Sequence, residues 1–213
     1  MAELFSATER ARIESTIQAV EQCTAGEIVV AVVERSDDYD GPRAALAVAG
    51  CLALTAIALH FWPGATATDW RISTLVLAQA AVIAGLWWLL GRSVLLRLWL
   101  PTATMAAAVM RRAMQHFIAA GVHQTRDASG ILIFIAHTEH RVVMLGDRGI
   151  HAKVGTEGWQ QHVQTLTEGL RQGRAGDALC AVLEALGAEL AAHFPPRDDD
   201  IDELPNRVEQ HQR

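Results

Sequence analysis

Two uncharged apolar runs constrain this chain more than any other feature. Ala44–Trp62 (AALAVAGCLALTAIALHFW) and Ile72–Leu90 (ISTLVLAQAAVIAGLWWLL) are 19 residues each, separated by the nine residues Pro63–Arg71. As helices they reach about 28 Å at 1.5 Å per residue, close to the ~30 Å hydrocarbon thickness of a bilayer. Buried helices of soluble proteins seldom stay apolar on every face for so long. The pair reads as a transmembrane helical hairpin (helices about 44–62 and 72–90) within an anchor segment spanning 43–100.

Arginines suggest its orientation. Arg43 precedes the first run, Arg92, Arg97, Arg111 and Arg112 follow the second, and the connecting loop holds only Arg71 beside Asp69. By the positive-inside rule both termini and all soluble residues face the cytoplasm of a bacterial-type inner (plasma) membrane. Met1–Gln22 has no apolar signal-peptide core. Trp62, Trp70, Trp87, Trp88 and Trp99 fall near the membrane ends, as interfacial belts do. The lipid bilayer is thus the first expected partner.

Of the 213 residues, roughly 150 lie outside the anchor, enough for one compact domain. A net charge of −6 points away from nucleic acid. Cys23, Cys51 and Cys180 are far apart and lack zinc spacing, which fits free thiols in a reducing compartment.

Residues 1–42 form the first part of that domain. Ser6-Ala-Thr-Glu9 has the form of a capping box, and Ile13, Ile17 and Val20 share the face of the helix it opens. Gly26 is the expected stop. Glu27–Glu34 (EIVVAVVE) reads as a strand covered on both faces. Ser36–Gly41 is an acidic loop into the anchor.

Residues 101–194 supply the second part. Thr102–Ala120 reads as a helix with Met110, Met114, Phe117 and Ile118 on one side and Gly121 as its stop. Gly130–Ala136 (GILIFIA) and Arg141–Leu145 (RVVML) are strands joined by a four-residue turn, hence antiparallel. The first two strands, linked through a crossover with a helix, should be parallel. Two amphipathic helices follow, with stripes Trp159, Val163, Leu166, Leu170 and Leu179, Val182, Leu183, Leu186, Leu190. The acidic tail, 195–213, is expected to be disordered or loosely docked.

Certain stretches suggest a family. Thr125–Ala136 (TRDASGILIFIA) and Glu139–Gly149 (EHRVVMLGDRG) resemble the TPM-domain family. Thr24–Val30 looks like its first strand and Leu170–Ala178 like its late helix junction. The resemblance covers about 1–40 and 103–195. It implies an α/β fold, a small α/β/α sandwich with a mixed sheet, here interrupted by the transmembrane hairpin. It also implies phosphatase activity and divalent-metal binding. An anchor inside the domain departs from the family's common arrangement, in which a signal peptide precedes the domain and a membrane helix follows it.

Phosphate-ester hydrolysis needs an activated nucleophile and cations that neutralise developing charge. Glu27 opens the first strand at the same end as Asp127, just before the second. The antiparallel third strand brings Asp147 back to that end. Glu27, Asp127 and Asp147 are therefore candidate hard-oxygen ligands for Ca²⁺ or Mg²⁺, with Arg126 or Arg148 facing an anion. The competing reading makes them turn residues, with Asp capping loops. His137, Glu139 and His140 sit on a tight turn at the opposite end and read as solvated; His151 is a weaker candidate. No GxSxG, P-loop or GxGxxG occurs. Two readings follow. One is a membrane-anchored cytoplasmic module that binds a partner, such as another membrane protein or complex, in assembly or quality control. The other is a metal-dependent acid-phosphatase-like enzyme acting on phosphomonoesters.

Overall fold

A computed structural model describes residues 4–61, 70–154, 157–197, 203–205 and 207–211. Most of the loop joining the two apolar runs, 62–69, lies outside them. The chain divides into two compact units, Met1–Asp37 with Met105–Arg213, and Asp38–Thr104.

The first unit is an α/β fold on a mixed four-stranded sheet. Its strands are β1 (Glu27–Val33), β2 (Gly130–Ala136), β3 (Arg141–Gly146) and β4 (Val208–His211), in the order β3-β2-β1-β4. β1 runs parallel to β2, from Glu27 opposite Gly130 to Val33 opposite Ala136. β3 is antiparallel to β2, and β4 is parallel to β1. β1 and β2 are buried along their whole length, as their unbroken apolar runs require.

Alternate side chains feed two cores. Ile28, Val30, Val32, Ile131, Ile133 and Ile135 pack with α1 (Ala7–Glu21), α7 (Glu157–Arg171) and α8 (Ala175–His193). Val29, Ala31, Val33, Leu132, Phe134 and Ala136 pack with Val109, Ala113 and Phe117 of α5 (Thr102–Ala119). α1 opens on the expected capping box: Ser6 Oγ accepts the Glu9 N–H, and Glu9 accepts the Ser6 N–H. The helix ends at Glu21 with Gln22 as its C-cap, just before the expected Cys23–Gly26 stop, and a Cβ on Gly26 would lie 3.1 Å from Leu190.

Two expectations are corrected. The tail is not wholly loose, because β4 adds an edge strand held to α1 by Val208 N–H donating to Glu14 (3.2 Å) and Arg10 to Gln210 (3.0 Å). On α5 only Phe117 of the expected stripe reaches the core. Met110, Met114 and Ile118 are exposed, and small Ala108 and Ala113 occupy the core side instead.

The second unit holds α2 (Asp40–Phe61), α3 (Trp70–Leu90) and α4 (Ser93–Trp99). Both α2 and α3 are long and apolar enough to cross a membrane and are almost unburied. They pack antiparallel: Arg43 donates to the Trp87 carbonyl (2.6 Å) and Gln79 to Thr55 Oγ1 (2.6 Å). A Cβ on Gly50 would stand 2.9 Å from Leu86, so the glycine lets the helices approach closely.

Candidate functional site

The anticipated residues gather at one end of the sheet. The register sets Glu27 opposite Gly130, and the Asp147 N–H donates to the Gly130 carbonyl (2.9 Å). Asp127 lies on the Thr125–Ser129 turn just before Gly130, closed by Ser129 N–H to Thr125 Oγ1 (3.1 Å). That turn abuts Gly149, whose N–H donates to the Ala128 carbonyl (3.1 Å).

Each carboxylate has its own local engagement. Glu27 is buried, and its Oε1 accepts the Glu203 N–H (3.3 Å). Asp127 pairs with Arg197 (2.6 Å), both two-thirds buried. Asp147 caps α6 (Arg148–Val154): its Oδ1 accepts the Arg148 N–H (2.6 Å), and its carbonyl accepts from Ile150 and His151. Its Oδ2 is buried with no hydrogen-bond partner among the described residues. Arg148 and His151 are exposed. Arg126 is also exposed, and its N–H donates to Glu203 (2.9 Å). Among the described residues no group of three or more His, Cys, Asp or Glu is arranged to hold a metal ion.

Sequence reasoning missed the tail. Arg197 and Glu203 reach back to this end of the sheet, onto Asp127 and Arg126 some 70 residues earlier and onto Glu27 176 residues earlier. No local pattern signals such contacts.

The opposite end also differs from expectation. Glu139 is buried, and its carboxylate accepts the Ser36 N–H (2.9 Å), so it ties the exit of β1 to the β2–β3 turn. His137 and His140 stack with ring centroids 6.0 Å apart. Asp37 of the acidic loop pairs with Arg111 on α5.

The TPM domain family model matches residues 100–189. That stretch holds α5, β2, β3, α6, α7 and most of α8, while α1 and β1 lie outside it. The chain is similar to the NMR structure of BA42 protein from the psychrophilic bacterium Bizionia argentinensis. The TM-score is 0.60 at 22% identity, covering 99% of this chain and 98% of that one, a likeness of fold. No curated protein matches the chain. Residues 100–189 are thus similar to the TPM domain family, and the chain shares a fold with the BA42 protein.

Proposed function

We propose that this protein is a TPM-domain module anchored in a membrane by α2 and α3, whose α/β unit binds another membrane protein or complex on the cytoplasmic side. The single observation that carries the reading is the exposure of the helix pair. Leu52, Leu59, Phe61 and Leu77 are each about two-thirds exposed or more. A continuous apolar surface of this size is costly in water and at home in hydrocarbon. The Gln79–Thr55 bond pairs two polar side chains within the helix pair, as a lipid surround favours. The arginine distribution supports a cytoplasmic α/β unit in a bacterial-type inner membrane. Met110, Met114 and Ile118, at i, i+4 and i+8 on α5, support the binding half. They leave an adaptable apolar stripe on a helix whose other side is already packed.

Carbonate extraction of membranes from cells expressing the full chain tests the anchor: the protein stays in the pellet, and release into the supernatant overturns the reading. A photo-cross-linking residue at position 114 tests the stripe. A discrete adduct forms in intact membranes and is lost when Met110→Glu is added; no adduct overturns partner binding there.

A second reading is a divalent-metal-dependent acid-phosphatase-like enzyme acting on phosphomonoesters. The buried, unpartnered Asp147 Oδ2 favours it, since such an atom is costly unless something pairs with it. It also requires Arg197 and Glu203 to release Asp127 and Glu27. Its test is a melting curve with Ca²⁺, Mg²⁺ or chelator. A metal-dependent rise that Asp147→Ala abolishes supports the site, and no rise removes it.

A further inference from the structure

We infer that the end of the helix pair where α2 begins and α3 ends is a binding site for an anionic glycerophospholipid, with Arg92 and Arg43 as its phosphate ligands. The inference rests on the membrane reading above. It starts from a groove of about 720 Å³ within the second unit, walled by Ala80, Ile83, Ala84 and Trp87, with Arg43 and Arg92 among its lining residues. The four wall residues lie at i, i+3, i+4 and i+7, one face of α3. They present an apolar strip about 10 Å long at 1.5 Å per residue, enough for the first methylenes of an acyl chain.

The two arginines differ in what already holds them. Arg43 is nearly buried and donates to the Trp87 carbonyl (2.6 Å) and to Asp40 (3.1 Å). Its guanidinium lies 4.3 Å from the Trp87 ring centroid. It thereby satisfies a carbonyl in the last turn of α3, where a cation is favoured, while Asp40 offsets part of its charge. Arg43 Nε remains buried with no hydrogen-bond partner among the described residues. Arg92 is exposed, with its guanidinium 4.1 Å from the Trp88 ring centroid and no carboxylate partner among the described residues. A planar guanidinium steadied on an indole face is well suited to a phosphodiester. Positive charge at one end of the groove and an apolar strip beyond it match a phosphate joined to acyl chains. They do not match a neutral headgroup or a free anion.

Trp87 and Trp88 report on the site. The full chain is reconstituted in phosphatidylcholine vesicles carrying a minor fraction of either bromine-labelled phosphatidylglycerol or bromine-labelled phosphatidylcholine, and tryptophan quenching is measured. Wild type shows a preference for phosphatidylglycerol of about fivefold or more, and Arg92→Gln loses about fivefold of it, the factor for one arginine near an anionic lipid surface. Among the described residues the Arg92 side chain touches Trp88 of the same helical end and bonds to nothing on α2, so this variant keeps the helix pair intact. Ala84→Phe, which fills the groove but keeps both arginines, also lowers the preference. Equal quenching by the two lipids in wild type, with the protein still floating with vesicles, overturns the site and leaves the anchor standing. Failure to float with either vesicle overturns both. Loss of the preference on adding soluble glycerol phosphate overturns the lipid assignment in favour of a simple anion site.

Discussion

Ala128 holds a left-handed backbone, φ 51°, which costs a residue with a Cβ about 1–2 kcal/mol. Its neighbour in space, Gly149, explains why the turn keeps that shape: a Cβ there would lie 2.7 Å from both the Asp127 and Ala128 carbonyls. Two substitutions should therefore move thermal stability in opposite directions. Ala128→Gly relieves strain at a smaller entropic cost and raises stability by up to about 1 kcal/mol. Gly149→Ala forces the turn off α6 and loses about 1–3 kcal/mol. Equal melting points for the two variants would sink the argument. At the N-terminal cap, the Ser6 hydroxyl and then the Ser6 N–H hold the Glu9 carboxyl below its ordinary value near 4.5. The folded value is the lower one, so the stability it brings is present above about pH 4.5 and fades as pH falls through the folded value. Glu9 stays in contact with solvent at the helix end, so the charge part is small. Ser6→Ala costs about 1 kcal/mol at neutral pH, and its deficit against wild type should shrink in acid.

At the scale of elements, the tail is the part with consequences. β4 covers the β1 edge, Arg197 holds Asp127, and Glu203 touches Arg126 and Glu27. Cutting the chain after Phe194 should expose the β1 edge N–H groups to exchange and make the protein prone to edge-to-edge association. Hydrogen exchange at Val30–Val33 reads this directly, and unchanged protection there would mean β4 does not form in solution. The elements legible in the sequence are those whose burial leaves a local trace. β1 and β2 are apolar on both faces, the capping box names the start of α1, and a four-residue turn forces β2 and β3 antiparallel. β4 leaves no such trace, since VEQH is short, polar and paired with a strand far away in sequence. Which face of α5 meets the sheet is hidden for a related reason. Methionines and alanines lie on overlapping stripes, and periodicity cannot tell that the sheet takes Ala113 and Phe117 while leaving Met114 out. The sheet end shared by Glu27, Asp127 and Asp147 was readable from strand directions. The tail contacts on two of those residues were not, because nothing near them in sequence encodes Arg197 or Glu203.

For the whole molecule, the question is whether the α/β unit needs the helical insertion to fold. Its sheet and both cores draw only on residues up to Asp37 and from Met105 onward. The Asp37–Arg111 pair keeps the two cut ends near one another, since Met105 lies about 9 Å along α5 from Arg111. A Gly/Ser linker of about ten residues reaches ~33 Å when extended, ample for that span, and shortening a long connection costs no closure entropy. Replacing Asp38–Thr104 with such a linker, ending in Ser to cap the shortened α5, should give a protein that folds without detergent. Near-ultraviolet circular dichroism would show fixed tertiary packing around Trp159, the one tryptophan that remains. The same protein should no longer sediment with membranes, whereas the full chain should. A folded fragment that still pellets with membranes would move the anchor onto the α/β unit, with the exposed Met110, Met114 and Ile118 stripe as its nearest apolar surface. A fragment that fails to fold would make the helix pair part of the folding unit, and the insertion could no longer be treated as an anchor added to a self-sufficient domain.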